Sequence, residues 1–265
     1  MTAPIVSVRD LKVHFPIRKG LLGRATDHVR AVDGVSFDLH RGRTLAIVGE
    51  SGSGKSTTGY AVMGMEQPTA GQVLIDGKDR ATMTPAERHA VTRRLQIVFQ
   101  DPASALNPRM KVRDCIAEPL EIHRIGTAAS RAARVQELLD LVGLPASALD
   151  RLPREFSGGQ KQRIVIARAL ALNPEVIVCD EAVSALDVSI QSQILNLLLE
   201  LQARLGLAYL FISHDLSVVR HISDEIVVMH RGRVVEAGPT DALFAATRDP
   251  YTQKLLAAVP RPEVR

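Results

Sequence analysis

The chemistry of this sequence begins with residues 49–57, GESGSGKST, which directly follow the apolar run LAIV at residues 45–48. The glycines allow consecutive backbone N–H groups to curve around an oxyanion, and the segment fits the phosphate-binding pattern G-x-x-x-x-G-K-[ST]. Lys55 is expected to reach the terminal phosphates, and the Ser56 hydroxyl is expected to face Mg²⁺. The candidate phosphate-binding residues are Gly49, Glu50, Ser51, Gly52, Ser53, Gly54, Lys55, Ser56 and Thr57.

The flanking segments support this interpretation. The preceding run is apolar, as a buried strand should be, and the stretch from Ser56 onward, STTGYAVMGM, is compatible with a helix. The positive dipole end of that helix would point at the bound anion. The alternative is a Gly/Ser turn that happens to contain a lysine. Because phosphate loops occur in kinases, GTPases, motors and transport ATPases, the motif predicts a nucleotide without selecting among these classes.

A second candidate site lies at the end of VIVCDE, residues 176–181. A buried strand that ends in two carboxylates is costly unless they meet a cation or a reacting group. Beside a phosphate loop, Asp180 is placed to hold Mg²⁺ through water, and Glu181 can polarise the water that attacks the γ-phosphate. The alternative is an acidic pair that only caps a helix beginning near Val188.

Composition argues against several other classes of protein. With 265 residues, of which 46% are hydrophobic and 23% charged, the chain can bury a sizeable core as one large or two small domains. The net charge of +4 is modest, aromatic residues make up 3% and tryptophan is absent, which argues against nucleic-acid binding. Solvated faces, or contact with acidic lipid headgroups, explain the arginine clusters better. The two cysteines, Cys115 and Cys179, cannot supply a four-ligand metal site.

The sequence also predicts a cytosolic location. No stretch of about 18 consecutive apolar residues is present, so no membrane span is expected. Arg9, Asp10 and Lys12 lie where a signal peptide would need its apolar region.

Hydrophobic patterning gives the order of the elements. The first part reads as strands with a turn at Asp76-Gly77, at residues 6–15, 35–39, 45–48 and 73–75. Residues 16–30, PIRKGLLGRATDHVR, are polar and contain glycine, so they are expected to form an exposed loop. From about residue 103 to 154 the pattern is helical. Thereafter strand and helix patterns alternate, which predicts a parallel sheet closed by crossover helices.

The remaining motifs resemble those of a known family. Residues 157–160, SGGQ within EFSGGQKQRIVIARAL, resemble the signature of the ATP-binding cassette (ABC) ATPases. Gln100 in VFQDP resembles the Q-loop glutamine, residues 184–187, SALD, resemble the D-loop, and His214 in FISHDL resembles the switch histidine. These motifs stand in the family's order, and the resemblance covers nearly the whole chain.

The resemblance implies an α/β P-loop NTPase fold with a central, mostly parallel sheet, an N-terminal antiparallel β subdomain and an inserted α-helical subdomain. It implies one nucleotide-binding domain over residues 1–265. A RecA-like core with the β subdomain would take about residues 1–100 and 172–240. The helical subdomain with the signature would take about 101–171, and a C-terminal helical extension about 241–265.

The resemblance also assigns roles to matching residues. Glu181, His214 and Gln100 are the implied catalytic residues, and the implied Mg²⁺ ligands are Ser56, Gln100 and Asp180. The signature helix would present a second anion receptor, because a helix N-terminus attracts negative charge. In the family this receptor closes on ATP held by another subunit. The residues implied to contact nucleotide from that side are Ser157, Gly158, Gly159, Gln160 and Asp187.

Two further expectations concern individual positions. A carboxylate introduced at Gly159 is expected to repel the nucleotide, because an anion must dock there. In the family an aromatic residue near the N-terminus stacks on adenine. Phe15 is the candidate for that contact, and His28, at the far end of the polar insertion, is the alternative.

Several longer segments resemble the ATPase subunits of oligopeptide, dipeptide and nickel importers, among them VFQDPASALNPRMKV and DPYTQKLLAAVP. The implied function is hydrolysis of ATP, with Mg²⁺, to energise a membrane importer. Oligopeptides or dipeptides are the first choice of cargo. Nickel chelates, opines and glutathione-like compounds are the alternatives.

The implied partners are a second ABC ATPase subunit, identical or paralogous, and two transmembrane permeases. An extracytoplasmic substrate-binding protein would act indirectly, and the chain would lie on the cytoplasmic face of the inner membrane. An exporter cassette and a soluble ABC ATPase acting on nucleic acid are the weaker alternatives. A small-molecule kinase would leave SGGQ and His214 without a role.

Overall fold

The computed structural model describes residues 3–19 and 24–258. Residues 20–23 of the expected loop and 259–265 of the expected C-terminal extension lie outside the described residues. The strands are β1 Val6–Lys19, β2 Arg24–Leu39, β3 Thr44–Val48, β4 Ala70–Ile75, β5 Lys78–Asp79, β6 Leu95–Val98, β7 Val176–Asp180, β8 Ala208–Ser213, β9 Glu225–His230 and β10 Arg233–Pro239.

The α-helices are α1 Lys55–Met63, α2 Pro85–Arg94, α3 Pro102–Ala105, α4 Val112–Ile122, α5 Ala128–Leu141, α6 Gly158–Leu170, α7 Val188–Leu205, α8 Leu216–Ile222, α9 Thr240–Ala245 and α10 Pro250–Ala257. Short 3₁₀ helices lie at Arg80–Thr82, Ala146–Ala148 and Pro153–Glu155. The chain divides into two compact units, one formed by Met1–His89 and Ala208–Arg265, the other by Ala90–Leu207.

The first unit contains an antiparallel sheet in the order β2-β1-β4-β5. Strands β1 and β2 pair over their whole length, from Val6 opposite Leu39 to Lys19 opposite Arg24. The expectation of a loop at residues 16–30 is therefore wrong, since its described residues form the outer part of a hairpin. Beyond Lys12, strand β1 no longer pairs with β4 and β2 is its partner. Around Phe15, Pro16, His28 and Val29 the ribbon is exposed to water, so polar side chains there do not oppose strand formation.

The first unit also contains a parallel group of strands. Strand β3 lies between β8 and β9 and is parallel to both, with Val48 opposite Ser213 on one side and Val228 on the other. Strand β10 adds antiparallel to β9. Every residue of β3 and β8 is buried, as expected for parallel strands covered on both faces. The loops after β3 and β8 consequently leave the same edge of the sheet.

The second unit contains the parallel pair β6 and β7 and a group of helices, with α6 in contact with α3, α4, α5 and α7. Arg168 on α6 connects two of these helices, because its guanidinium donates to the Ala105 carbonyl and to the Glu118 carboxylate, both at 2.7 Å. Helix α7 ends at Gly206, whose φ of 68° suits glycine and whose N–H donates to the Gln202 carbonyl. The predicted division into core, helical subdomain and extension stays a prediction.

Within the described residues, no helix combines the length and the apolar character that crossing a membrane requires.

Candidate nucleotide-binding site

The phosphate loop leaves strand β3 at Gly49 and enters helix α1 at Lys55. Gly49 has a φ of 149°, and a Cβ there would lie 2.2 Å from the Met229 carbonyl oxygen. Gly54 has a φ of 101°, and a Cβ there would lie 2.1 Å from the Ala31 carbonyl oxygen. Both ends of the loop are therefore pressed against neighbouring backbone, and only glycine fits at either position.

Lys55 is buried within this loop, with 4% of its surface exposed. Its Nζ donates to the carbonyl oxygens of Gly49 and Glu50, each at 2.9 Å, so the side chain curls back over the loop. Helix α1 thus begins with a cation and has no acidic residue in its first turn. A positive charge at the positive end of a helix dipole is unfavourable unless an anion also binds there. The loop fits a phosphate group, and the alternative of an ordinary Gly/Ser turn explains none of these features.

A buried hydroxyl adds to this fit. Ser53 is 4% exposed, and within the described part of the chain its Oγ has no hydrogen-bond partner. A buried hydroxyl without a partner is costly, and a bound anion would supply an acceptor.

His214 lies at the same edge of the first unit. It follows β8 directly, and because Ser213 pairs with Val48, His214 and Gly49 leave neighbouring strands at corresponding positions. His214 is exposed, while Asp215 caps helix α8 by accepting from the Ser217 N–H. The expected switch histidine and the phosphate loop are thus brought to one edge by the register of β3 and β8.

The two candidates for the adenine contact lie on the β1–β2 ribbon. Phe15 is opposite Val29, and His28 is opposite Pro16. Since successive residues of a strand point to opposite faces, Phe15 and His28 lie on different faces of the ribbon. Phe15 is 39% exposed and Val29 is 52% exposed, so the Phe15 face presents an apolar pair to solvent.

In the second unit, the acidic pair lies at the end of the fully buried strand β7. Asp180 is 5% exposed, and Glu181 follows with a φ of 50°, in the left-handed region that residues other than glycine rarely adopt. Such a conformation costs about 1–3 kcal/mol, and residues that keep it cluster at functional sites. Burial, reinforced by the Asp180 carboxylate, raises the pKa of the Cys179 thiol to about 12, so Cys179 is a neutral core residue.

The alternative role of the acidic pair, capping a helix near Val188, is wrong. Helix α7 does begin at Val188, but its N-cap is Asp187, whose backbone carbonyl accepts from the Gln191 N–H. Asp180 ends β7 and Glu181 begins the turn that follows, so both lie well before this cap. The burial of Asp180 and the backbone conformation of Glu181 need another explanation.

Gln100 is brought toward this pair by strand register. Val98, the last residue of β6, lies opposite Cys179 of β7, so the loops carrying Gln100 and Asp180 leave the same edge of the two parallel strands. Gln100 is exposed, and Asp101 caps the short helix α3 that follows. The second unit thus holds Gln100, Asp180 and Glu181 at neighbouring strand ends.

The SGGQ segment forms the start of helix α6. Ser157 is the N-cap, and its side chain and that of Gln160 form a reciprocal capping box: Ser157 Oγ accepts from the Gln160 N–H, and Gln160 Oε1 accepts from the Ser157 N–H. Ser157, Gly158 and Gln160 are exposed. The Ser157 hydroxyl accepts in this box and keeps its own proton for a ligand.

Gly159 is less accessible than its neighbours in SGGQ, and its predicted nucleotide contact stays a prediction. It is buried, and a Cβ there would lie 2.4 Å from Cγ2 of Ile190 on helix α7. A carboxylate at Gly159 would disturb the packing of α6 against α7 before it met any ligand. A Cβ at Gly158, which is exposed, would lie 3.3 Å from Cδ2 of Leu186. Position 158 therefore faces solvent and is the better place to test an anion receptor.

Comparison with protein families decides the classification. Residues 32–184 match the family model described as ABC transporter, a range that includes the phosphate loop, Gln100, the SGGQ segment and the acidic pair. The chain belongs to the ABC transporter family.

The curated relatives of this ABC chain include glutathione import ATP-binding proteins. It is 54% identical over 257 residues to the glutathione import ATP-binding protein GsiA of Escherichia coli K12, and equally identical to GsiA of Shigella sonnei. The alignment covers 97% of this chain but 41% of each relative. The chain thus spans about two fifths of the length of the curated relatives it matches.

Solved ABC structures share the fold. CbiO1 from Clostridium perfringens, described as part of the ABC transporter complex cbiONQ, superimposes with a TM-score of 0.80 at 28% identity over 92% of each chain. A dimeric bacterial ABC transporter cassette, MJ0796, gives a TM-score of 0.75 at 27% identity over 89% of this chain and 98% of that one. The same cassette in a dimeric post-hydrolysis state, bound to ADP and phosphate, gives 0.76. The predicted membership of the ABC ATPases and the predicted α/β P-loop fold class are confirmed.

The predicted site residues of this ABC cassette are divided between the two units. Residues 49–57, Phe15 and His214 belong to the first unit; Gln100, Ser157, Gly158, Gly159, Gln160, Asp180, Glu181 and Asp187 belong to the second. Tyr251, whose hydroxyl accepts a hydrogen bond from the phosphate loop, is not predicted from the sequence. Its segment DPYTQ carries a family resemblance, and nothing in its pattern indicates this contact.

Proposed function

We propose that this chain is the ATP-binding and ATP-hydrolysing subunit of an ABC importer. The observation that carries the proposal is the phosphate loop, in which Lys55 is buried at the positive end of helix α1, between glycines pressed against neighbouring backbone. That arrangement suits a polyphosphate ligand. The match to the ABC family and the ADP-bound neighbouring cassette support a nucleotide.

In this proposal the chain's residues divide the work of hydrolysis. Backbone N–H groups within residues 49–57 and the Lys55 ammonium bind the phosphates in the ground state and the transition state alike. Glu181 accepts a proton from the attacking water, and the strained backbone fixes the direction of its carboxylate. Gln100 orients the same water from the end of β6, and His214 contacts the γ-phosphate from the end of β8.

The proposed metal ligands fit Mg²⁺ by their chemistry. Ser56, Gln100 and Asp180 offer a hydroxyl, an amide and a carboxylate oxygen, and Mg²⁺ prefers oxygen ligands and retains several waters. Within residues 3–19 and 24–258, no group of three or more His, Cys, Asp or Glu side chains could hold a metal, which suits an ion held mainly by phosphates and water. Mg²⁺ would neutralise charge on the phosphates.

We further propose that hydrolysis requires a second cassette. The exposed N-terminus of α6, with Ser157, Gly158 and Gln160 facing solvent, suits an anion presented from outside the chain. Asp187, exposed at the start of α7, would contribute from the same side. The dimeric form of the neighbouring cassette supports this pairing, and the partner is an identical or paralogous chain. Phe15 is the proposed adenine platform, because it offers an exposed aromatic surface.

The proposed transport function depends on the sequence similarity of this chain to its relatives. Identity of 54% to a glutathione import ATP-binding protein supports an importer of peptide-like solutes, either glutathione-like compounds or short peptides. In this assembly the cassette would bind two permeases at the cytoplasmic face of the inner membrane. A substrate-binding protein outside would deliver the cargo, and no nucleic acid would be involved.

The catalytic assignment is tested by Glu181→Gln, which keeps the shape of the side chain and removes its charge. We expect ATP turnover to fall by about 10² or more while ATP still binds. Glu200→Gln, an exposed substitution of the same type on helix α7, is the matched control and should hydrolyse ATP at the wild-type rate. Near wild-type turnover by Glu181→Gln would exclude this residue as the base.

The cargo is tested by reconstitution. The chain is co-purified with the permeases encoded in adjacent reading frames, the complex is reconstituted into lipid vesicles, and the binding protein encoded beside them is added. ATP hydrolysis is then measured in the presence of a dipeptide, glutathione or a nickel chelate. We expect stimulation by glutathione or the dipeptide and none by the nickel chelate. If only the nickel chelate stimulated ATP hydrolysis, the proposed cargo would be wrong and a nickel chelate would be the cargo.

A further inference from the structure

Helix α10 contacts the phosphate loop, although Glu50 and Tyr251 lie 201 positions apart in sequence. The backbone N–H of Glu50 donates to the Tyr251 hydroxyl oxygen at 3.0 Å. Lys254, one turn further along the helix, places its Nζ 3.7 Å from Glu50 Oε1. The first variable residue of the loop is therefore contacted by α10 through both its backbone and its side chain.

The Tyr251 ring is itself held in place. It stacks on His230 with the ring centroids 4.0 Å apart and the planes inclined by 12°. His230 is the last residue of β9 and follows Met229, whose carbonyl oxygen lies against Gly49. The end of β9 thus contacts Gly49 directly and reaches Glu50 through Tyr251.

The start of α10 is fixed by two carboxylates. Glu236 on β10 accepts from the Thr247 hydroxyl at 2.6 Å and from the Arg248 N–H at 2.9 Å, which ties down the segment before the helix. Asp249 then caps α10 by accepting from the Tyr251 N–H at 2.8 Å. These bonds leave the Tyr251 side chain little freedom to move away from the loop.

We propose that Tyr251 is a positioning residue for nucleotide binding, whose hydroxyl holds the Glu50 backbone and so fixes the entry to the phosphate loop. The inference rests on the proposed ATPase function and adds a contact from outside the loop. A preorganised loop binds its ligand more tightly, because less ordering is needed on binding. The coupling is reciprocal, so nucleotide in the loop stabilises the docked position of α10.

The two contacts of α10 with Glu50 are not equivalent. Burial raises the pKa of the Tyr251 phenol, so the hydroxyl remains protonated and neutral in any assay near pH 7. The Lys254 and Glu50 side chains are 77% and 54% exposed, and an ion pair so exposed is weakened by solvent and salt. The hydroxyl contact is therefore the one expected to influence nucleotide binding.

The test compares variants of the full chain by titration with a fluorescent ATP analogue in the presence of MgCl₂. Tyr251→Phe keeps the stacked ring and removes the hydroxyl, and should raise the Kd about fivefold. Gln253→Ala, on the same helix as Tyr251, removes a side-chain bond to the Thr247 carbonyl in the segment before the helix, makes no change at the loop and should leave the Kd unchanged. Lys254→Gln should change it by less than about twofold.

A second measurement detects the reciprocal effect. Addition of MgATP should slow amide hydrogen exchange across residues 250–257 in the wild-type chain, and should slow it less in Tyr251→Phe. A purely structural role for Tyr251 would lower the melting temperature of Tyr251→Phe and leave both its Kd and the exchange response at wild-type values. That result would overturn the proposal.

Lys55→Ala separates this inference from the proposed function. If the wild type binds the analogue, Lys55→Ala does not, and Tyr251→Phe binds like the wild type, the inference about Tyr251 is wrong and the ATPase proposal stands. If the wild type binds no better than Lys55→Ala, both proposals are wrong.

Discussion

Helices α1 and α6 each begin at a glycine-containing segment proposed to bind phosphate, but they organise their first turns in opposite ways. Helix α1 has Gly54 as its N-cap, a residue without a side chain to accept from the first N–H groups. Helix α6 has the reciprocal Ser157–Gln160 box. The start of α1 is buried around Lys55, whereas the start of α6 is exposed.

This difference indicates that the α1 loop could bind a phosphate by itself, whereas the start of α6 would supply only some of the contacts. The α1 loop depends on steric fit at Gly49 and Gly54, and carries its own cation, so it has what a phosphate needs within one chain. The α6 terminus is stabilised by its own side chains, and the lysine of its first turn, Lys161, follows the SGGQ segment. It is suited to add contacts to an anion that is already bound elsewhere. Substitutions should therefore affect binding at α1 and turnover at α6.

The largest expected effect is on nucleotide binding by Lys55→Ala. We expect its Kd for a fluorescent ATP analogue to rise about a hundredfold, because a buried charge-assisted contact is lost. Lys161→Ala, which removes a lysine from the first turn of α6, is the control and should stay within about twofold. Unchanged affinity in Lys55→Ala would mean that GESGSGKST is only a turn.

A second prediction concerns Gly158→Asp at the α6 terminus. Its carboxylate should repel the incoming phosphate and reduce ATP hydrolysis at least about tenfold, while the analogue binds with a Kd within about twofold of wild type. Gly158→Ala is the control, because it places a Cβ near Leu186 without adding a charge. It should hydrolyse ATP far faster than Gly158→Asp. Full hydrolysis by Gly158→Asp would show that SGGQ is only a helix cap.

The smallest effect is expected for Ser157→Ala. Loss of the cap should cost about 1 kcal/mol and lower the melting temperature by about 2–4 °C. Thr127→Ala removes the equivalent cap of helix α5 and should lower the melting temperature by a similar amount. Hydrolysis should decrease in Ser157→Ala alone, since Thr127 belongs to no proposed site. Equal hydrolysis in the two variants would contradict a ligand contact for Ser157.

The phosphate loop could be predicted because its structure is local. The backbone path is specified by Gly49 and Gly54, and the charge by Lys55. The patterns of the flanking strand and helix independently predict a phosphate loop between them. The strand ends that carry Gln100, Glu181 and His214 also followed from alternating patterns and the family's motif order. In each case neighbouring residues carry the information.

Three features could not be read in this way. Residues 16–30 look like a loop by composition, whereas residues 16–19 pair with residues 24–28 and continue the β1–β2 pairing. The other two features depend on distant parts of the chain. The orientation of Gly159 is decided by Ile190 on another helix. The contact between Tyr251 and Glu50 joins segments 201 positions apart, and no pattern within either segment indicates it.

The left-handed backbone of Glu181 has a consequence for how this chain could be altered. Asparagine tolerates that conformation better than glutamate, so Glu181→Asn would relieve strain at the end of β7. It would also remove the carboxylate proposed as the base. At this position stability and catalysis favour different residues, so selection for thermal resistance alone would drive the protein toward an inactive sequence.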